Sequence, residues 1–520
     1  MSVATAAAAG ASRGLADGWW FGGEQRRDRP NIVILFADDM GFSDPGCFGG
    51  EIDTPNLDSL AKGGVRFSQF YNCSICGPSR ASIQTGLYNQ QVGVRSWNDE
   101  RTKNGLTLAE PLHEAGYHTM MIGKWQGWPD YARDRGFDRF FGSNVSTDPS
   151  AGPGHYTRRV HNLSQWGLDY AVFTPPDEFY RTDLYTDYAV SFLDEAYTKD
   201  QPFFLFCAFV APHWPLHADE ADIAKYRTLY RDAGWDQLRA DRCDRLKTEG
   251  LIDPGWSLTA RDARVPAWTG ASHQDWEAER MAVYAAQVDR LDRNIGRILQ
   301  SLKDAGQYDN SLILFLSDNG ASDQWACPAD PVHWRIDGTP TLCGNEPGVV
   351  WPGPHNTFVT YGPPWANVSA TPFRQYKMSG YEGGWSCPFL ARWPGIVSPG
   401  TITHQPAHLM DVMPTLLDVA EAEYPTVYNG HAITPLEGKS LLPVLQGRQR
   451  EEHEGIFFEY AGYRAVRAGS WKLVASPGQA WELYDMAADR TETNNVAGSN
   501  PGVVSDLTGR YNDWADRVGI

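Results

Sequence analysis

The sequence predicts an α/β protein: a large mixed, mostly parallel sheet flanked by helices, with a smaller C-terminal α+β subdomain containing an antiparallel sheet. Three observations carry this expectation. Short continuous apolar runs rich in β-branched residues, such as residues 31–37 (Asn-Ile-Val-Ile-Leu-Phe-Ala) and 311–316, have the pattern of strands buried on both faces. They alternate with helical segments, and that alternation builds parallel sheets. The texture changes after about Tyr424, which separates a main domain at 30–424 from a C-terminal subdomain at 425–520 and leaves 1–29 as a leader or flexible tail.

Bulk properties narrow the function. A chain of 520 residues is long enough for one large domain and a smaller one. Its net charge of -19 argues against nucleic acid, whose phosphates need concentrated Lys and Arg. An anionic substrate then requires a locally positive pocket or a metal cation. No window approaches the roughly 18 consecutive apolar residues of a membrane span. The alanine run at 6–9 is short and no basic residue precedes it, a poor signal peptide. The cytoplasm is the expected compartment, with periplasm or secretion as alternatives; nothing sets the oligomeric state. Eight cysteines in a chain this long make no disulfide framework, although Cys327 and Cys343 flank a Pro/Gly-rich loop and could pair.

Taken in order, the first strand ends in Asp38-Asp39-Met40-Gly41. Thr54, Pro55 and Gly63 mark the start and stop of a helix. Residues 65–71 read as a strand that delivers the chain to Tyr71-Asn-Cys-Ser-Ile-Cys-Gly-Pro-Ser-Arg-Ala-Ser-Ile-Gln-Thr-Gly86. Here Pro78 suits the first position of a helix over 79–87, with Gly77 as its cap. Cys76 then faces the positive end of that helix, where backbone N–H groups favour an anion, and Arg80 adds a cation one turn in. A nucleophile in an anion-binding nest is the functional reading; a buried cysteine in a strand-to-helix loop is the plain one.

Residues 106–115 read as a helix closed by Gly116, and 117–122 as a strand ending in Gly123-Lys124-Trp125-Gln126. The Gly/Pro-rich stretch 129–181 reads as loop. A helix over 183–197 precedes a strand over 202–210, which ends in Ala211-Pro212-His213-Trp214-Pro215. Residues 216–275 are polar and weakly periodic, so short helices and loops are expected. Met281, Ala285, Val288, Leu291, Ile295, Leu299 and Leu302 predict a long helix over 276–305. The strand 311–316 runs into Ser317-Asp318-Asn319-Gly320. A long loop to about Thr371 follows, of the kind that is usually functional. Lys377 and Glu382-Gly383-Gly384 precede a strand over 388–393. Strands at 464–474 and 481–486 and a helix over 504–514 complete the C-terminal part.

Four predicted strands thus end in polar groups, and ligands of open α/β sheets bind beyond the carboxyl ends of strands. Asp38, Asp39, Asp318 and Asn319 are hard oxygen donors suited to Ca²⁺ or Mg²⁺. Each pair alone suits a loop or cap, but two pairs together need a cation to offset their repulsion. Lys124 and Lys377 alone read as surface residues; beside a metal they would clamp a multiply charged oxyanion. His213, held between two prolines, is a rigid imidazole placed to protonate a leaving oxygen.

Cys76-Gly-Pro-Ser-Arg80 followed by Thr85-Gly86 resembles the signature of the type I sulfatases, formylglycine-dependent enzymes of the alkaline phosphatase superfamily. The Asp-Asp strand end, Gly123-Lys-Trp125, Ala211-Pro-His213, Ser317-Asp-Asn-Gly320, Trp365-Ala-Asn-Val-Ser-Ala-Thr-Pro-Phe-Arg-Gln-Tyr-Lys377 and Glu382-Gly-Gly384 agree in order. The resemblance runs from residue 30 to the C-terminal strands. It implies an alkaline phosphatase-like fold and an arylsulfatase-like enzyme that hydrolyses a sulfate monoester, of a sulfated carbohydrate or an aryl alcohol, to alcohol and inorganic sulfate.

It further implies that a maturation enzyme, reading Cys-x-Pro-x-Arg, oxidises Cys76 to formylglycine. One hydroxyl of the aldehyde hydrate attacks sulfur and the alcohol leaves; the second expels sulfate and restores the aldehyde. A plain thiol or serine would be left as a stable sulfated adduct. By the same resemblance Asp38, Asp39, Asp318 and Asn319 hold Ca²⁺, with Mg²⁺ as the alternative. Arg80 steadies the hydrate, Lys124 and Lys377 grip sulfate oxygens, and His213 assists the leaving group. The metal acts as Lewis acid and template.

One position departs. The family usually carries histidine two residues after the Lys124 position, associated with the formylglycine hydroxyl and sulfate release; this chain has Gln126. Glutamine can hydrogen-bond to the hydrate but cannot take its proton near neutral pH. Another base, slow turnover, or a pocket tuned to a particular ester are the three expectations. Rival readings are a phosphomonoester or phosphonate-ester hydrolase of the same superfamily, and a non-catalytic sulfate-ester binding protein.

Overall fold

The continuous apolar runs form the middle of a ten-stranded sheet. In chain order its strands are β1 (Asn31–Asp38), β2 (Val65–Phe67), β3 (His118–Trp125), β4 (Arg139–Asn144), β5 (Trp166–Leu168), β6 (Ala171–Val172), β7 (Phe203–Pro212), β8 (Ser311–Ser317), β9 (Phe389–Arg392) and β10 (Thr401–Thr403). Their spatial order is β10-β2-β9-β8-β1-β7-β3-β4-β5-β6. The computed structural model describes residues 29–520 except 97–98, 100–101, 103, 127–129, 145–165, 174–175, 177–178, 326–341 and 346. The inner strands β8, β1, β7, β3 and β4 are parallel, while β9 runs antiparallel to both β8 and β2.

The helices relevant here are α1 (Pro55–Lys62), α2 (Cys76–Thr85), α3 (Ala109–Glu114), α4 (Arg181–Ala196), α5 (Glu220–Thr248), α6 (Gln274–Asp304), α7 (Gly362–Ser369) and α8 (Glu382–Trp385). They cover both faces of the sheet, which is why β1 is apolar without alternation. Val33 and Leu35 enter the core built with α1, α4, α5 and α6. Ile32, Ile34 and Phe36 enter the opposite core with Ile83 of α2 and Leu112 of α3. On α6, Leu291 and Ile295 are fully buried, so cutting either to alanine costs about 2–5 kcal/mol.

Several expectations change. The strand expected over 65–71 is split: β2 joins the large sheet, whereas Phe70–Tyr71 pairs with Ala407–His408 in a separate one. Between them, Ser68 and Gln69 bond instead to His404. The polar stretch after 216 holds the 29-residue α5, kinked at Gly234 (φ 66°, ψ 174°). A Cβ there would lie 2.2 Å from the Trp268 ring, so close packing requires glycine. Ion pairs to α6, Arg227–Glu279 at 2.6 Å and Lys225–Asp289 at 2.7 Å, hold this element, and polar anchoring leaves a weak apolar period.

The predicted loop 129–181 supplies β4, β5 and β6; its residues 145–165 lie outside the described part. The predicted loop before Thr371 contains α7. Cys343 is disulfide-bonded, and its expected partner Cys327 lies outside the described residues. The C-terminal sheet has four antiparallel strands, β11 (Ile456–Tyr460), β12 (Tyr463–Ala468), β13 (Trp471–Ala475) and β14 (Glu482–Asp485). The strand expected over 464–474 is therefore a hairpin turning at Gly469. The last helix spans Pro501–Val518. Among the described residues no helix is long and apolar enough to cross a membrane.

Candidate active site at the strand ends

Strands β8, β1, β7 and β3 are consecutive parallel neighbours, so their carboxyl ends open on one edge of the sheet. Asp38 closes β1 and Asp39 follows it; Asp318 and Asn319 follow β8; His213 follows β7; Lys124 is the penultimate residue of β3. The groups that the sequence places at strand ends therefore meet. Lys124 Nζ lies 2.7 Å from Asp38 Oδ2. Arg80, one turn into α2, reaches Asp38 Oδ2 at 3.2 Å and Asp318 Oδ2 at 3.1 Å. Lys377 Nζ lies 2.7 Å from Asp39 Oδ1, to which Asn319 Nδ2 also donates at 2.6 Å. The Asp39 N–H donates to Asp318 Oδ1 at 3.1 Å. All these side chains are buried.

Unusual backbone surrounds the cluster. Asp39 (φ 64°), Ser74 (φ 56°), Gln375 (φ 66°) and Met378 (φ 73°) are all left-handed non-glycine residues. Each costs on the order of 1 kcal/mol and persists only where neighbours over-determine it. The Lys377 N–H bonds Ala321 O at 2.9 Å and the Met378 N–H bonds Ser74 O at 2.7 Å. Lys377 is thereby pinned between the β8 exit and the approach to Cys76. The Gly383-Gly384 pair at the start of α8 makes this possible. A Cβ on Gly384 would lie 2.0 Å from Tyr376 O, and one on Gly383 2.2 Å from Gln375 O.

Cys76 is the first residue of α2, not the residue before its cap. Ile75 is the N-cap, extended and unable to supply a side-chain acceptor. Gly77 lies inside the helix, and Pro78 is tolerated because first-turn N–H groups have no intrahelical partner. Pro78 has no N–H and the Ser79 N–H bonds Ile75 O at 3.0 Å, so the helix dipole is what chiefly favours an anion at Cys76, whose sulfur lies within electrostatic range of Lys377. Gln126 is buried immediately after β3, two residues beyond Lys124.

The charges show what the cluster lacks. Burial opposes ionisation of Asp38, yet Lys124, Arg80 and Lys377 hold it well below the usual carboxylate range. Burial and the neighbouring Asp38 push Asp318 up to about 8. Asp38 Oδ1, Asp39 Oδ2 and Asn319 Oδ1 are buried with no hydrogen-bond partner. His213 Nδ1 meets the Trp214 carbonyl at 2.6 Å; a carbonyl only accepts, so Nδ1 carries the proton. Burial pushes this imidazole down to about 4, with Asp39 pulling back, so its Nε2 presents a lone pair. That Nε2 stands 3.4 Å from Asp39 Oδ2, an ion-pair distance without hydrogen-bond alignment.

Acceptor facing acceptor, with repelling carboxylates, is an arrangement that a cation relieves. One ligand atom from each of Asp38, Asp39 and His213 lies within 4.8 Å of the others. The orphaned oxygens of Asp38, Asp39 and Asn319 fit a hard, oxygen-preferring ion such as Ca²⁺, which leaves His213 for other work. Three carboxylates (Asp38, Asp39, Asp318) face three cations (Arg80, Lys124, Lys377), so a bound divalent ion makes the pocket net positive within an acidic protein.

Sequence reasoning missed a cavity that borders Lys377. Arg264, Asp323 and Tyr463 line it together with residues 374–379, and none of the three sits in a motif. Asp323 lies in the long loop already read as functional, and the turn signal Ala461-Gly462 between two tyrosines is a second local hint.

The sulfatase family profile matches residues 30–422, and a profile described as N-sulphoglucosamine sulphohydrolase, C-terminal, matches 375–510. The chain is 34% identical over 449 residues to the arylsulfatase of Klebsiella aerogenes, covering 82% of this chain and 94% of that protein. It is 32% identical over 523 residues to an uncharacterized sulfatase of Schizosaccharomyces pombe, covering 94% and 93%. Among solved structures, Ps i-CgsB aligns with a TM-score of 0.67 at 25% identity, covering 94% of this chain and 93% of that chain. A structure in complex with its substrate D-glucosamine-2-N,6-O-disulfate shares the fold, with a TM-score of 0.63 at 22% identity over 94% of this chain and 98% of that one.

Proposed function

The chain belongs to the sulfatase family and is a sulfuric ester hydrolase; from that premise we propose that its nucleophile is formylglycine made from Cys76 and its cation Ca²⁺, held by Asp38, Asp39, Asp318 and Asn319. The orphaned oxygens of Asp38, Asp39 and Asn319, gathered beside two lysines and Arg80, carry this reading. When bound, the ion supplies a Lewis acid and a template for the ester.

The chain's own residues supply the rest. Lys124 and Lys377 each have three N–H donors and commit one to a carboxylate, which leaves donors for sulfate oxygens. Arg80 holds Asp38 and Asp318 in register, and the positive end of the α2 dipole favours the incoming anion. An anionic ester beside His213 raises its affinity for a proton. Nε2 then takes a proton from solvent water and passes it to the alcohol oxygen as the S–O bond breaks. Gln126 can hydrogen-bond but not relay a proton near neutral pH, so sulfate release is expected to be the slower half of the cycle.

The test is the mass of the tryptic peptide containing Cys76, measured alongside parallel assays on nitrophenyl sulfate, nitrophenyl phosphate and phenylphosphonate. Sulfate turnover proportional to the formylglycine content is the expected result. Full turnover with unmodified cysteine would exclude the proposed nucleophile. Preference for phosphate or phosphonate would move the enzyme to that branch of hydrolases.

A further inference from the structure

We propose that the cavity beside Lys377 is the subsite for the alcohol portion of the ester, and that it selects a hydroxyl-rich carbohydrate over a flat aromatic group; this rests on the sulfatase reading above. The cavity has a volume of about 550 Å³ and is bordered by Asp262, Arg264, Asp323, Arg374, Lys377 and Tyr463. The two backbone bonds that pin Lys377, to Ala321 and through Met378 to Ser74, tie one wall of the cavity to the β8 exit and to the segment that leads into Cys76.

Opposite charges alternate along the cavity. Arg264 Nη2 lies 2.7 Å from Asp262 Oδ2 and 2.8 Å from Asp323 Oδ2, while 55% of its side chain remains exposed. The frame is stiff: the Tyr376 O–H donates to Asp262 at 2.8 Å, and the Asp262 N–H donates to Asn367 Oδ1 at 3.2 Å. Arg264 Nη1 makes no hydrogen bond among the described residues. Arg374 stacks over Tyr381 at 4.3 Å and donates to Glu492 O at 3.1 Å, which fixes a second guanidinium on the wall.

A carboxylate, guanidinium, carboxylate line offers acceptor, donor, acceptor in sequence. Vicinal sugar hydroxyls, each a donor and an acceptor, match it. Tyr463 enters from the C-terminal hairpin, whose turn at Ala461 (φ 50°) and Gly462 (φ 85°) pairs it with Tyr460. Tyr460 lies within electrostatic range of both Cys76 and Lys377. A tyrosine ring suits the apolar face of a sugar. An aryl group would satisfy the ring but desolvate the ion pairs without replacing their hydrogen bonds, and sites built for hydroxyls reject analogues that lack them.

The experiment uses full-length enzyme of measured formylglycine content, as wild type, Arg264→Gln, Asp323→Asn and Tyr463→Ala. Each is assayed on monosulfated hexoses and N-acetylhexosamines and on nitrophenyl sulfate. The expected result is a loss of about 10- to 100-fold in kcat/KM on sugar sulfates for Arg264→Gln and Asp323→Asn, with a much smaller change on nitrophenyl sulfate, which makes no hydrogen bonds to these groups. Equal losses on both substrates, or no loss on sugars, overturn the proposal. Tyr463→Ala, at a hairpin tip, carries the test should an ion-pair variant fail to fold. Calorimetry with the desulfated parent sugars reads the cavity apart from chemistry. Binding lost in Arg264→Gln supports the subsite even if no sulfate ester turns over, a result that would count against the nucleophile alone. Equal sugar binding by wild type and Arg264→Gln overturns the subsite.

Discussion

Lys472→Met removes the cation from the centre of a fully buried network. Lys472 Nζ lies 2.7 Å from Glu382 Oε1 and 2.7 Å from Glu492 Oε1, and Arg490 Nε lies 2.7 Å from Glu382 Oε2. Lys472 belongs to β13 and Glu382 opens α8, so the network ties the C-terminal sheet to the segment that holds Lys377. The two contacts differ. The one to Glu382 is a hydrogen bond; the one to Glu492 is an ion pair by distance but lacks hydrogen-bond alignment. Burial opposes the charge on Glu382, which Lys472 and Arg490 nevertheless hold below its ordinary range. Burial wins at Glu492 and pushes it up to about 7, with Lys472 pulling back.

Breaking a buried pair from one side costs about 3–5 kcal/mol because the remaining charge is uncompensated. The pH dependence has a definite sign. Glu492 titrates higher in the folded protein than its unfolded value of 4.5. Its protonated form therefore stabilises the fold fully below the unfolded value, and that contribution, about 3 kcal/mol, is lost as pH rises through the folded value. At about pH 8 the charged Glu492 depends on Lys472, and the variant should show its full deficit. At about pH 5.5 the carboxyl is largely neutral in both proteins and the deficit should shrink. Urea unfolding followed by tryptophan fluorescence at the two pH values measures this. A deficit of equal size at both, or none at the higher pH, would refute Lys472 as the compensating charge.

Four further outcomes are expected. Gly384→Ala drives a Cβ to 2.0 Å from Tyr376 O; displacing Lys377 by about 1 Å should lower kcat/KM about 100-fold with circular dichroism unchanged. Lys124→Ala and Lys377→Ala should each lower kcat/KM on sulfate esters by about 10²–10³-fold, measured by steady-state kinetics. Ca²⁺ at 100 times its Kd should stabilise the protein by about 2.7 kcal/mol in thermal unfolding with and without chelator, and Asp318→Asn should remove most of that shift. Gln126→His should change the sulfate-release step in single-turnover kinetics; no change in either chemical step would show that the position has no catalytic part.

The fold class was legible because its signals are local. Residues 31–37 and 311–316 are apolar throughout since both faces of the sheet are covered, and Leu291 and Ile295 recur at helical spacing since one stripe of α6 is buried. The error at 216–275 has the opposite cause: α5 is held by ion pairs to α6, and such pairing leaves little apolar period. The hairpin hidden in 464–474 turns on a glycine inside a run that otherwise reads as one strand. Cys76 was legible from its Cys-Gly-Pro-Ser-Arg setting, but its place as the first residue of α2 depended on Ile75 being extended.

By itself, then, the chain's sequence determined the alternation of strands and helices, the polar group at each strand end, and the motif around Cys76. All of these depend on residues within a few positions of one another. Tertiary structure alone decided that β8, β1, β7 and β3 are neighbours, so that their ends share one edge. It also decided that Lys377 meets Asp39 across 338 positions, and that a tyrosine from the C-terminal hairpin borders the same cavity. Those facts rest on packing between distant segments, where strand order, close glycine contacts and buried charge set the distances, and a local pattern carries no record of them.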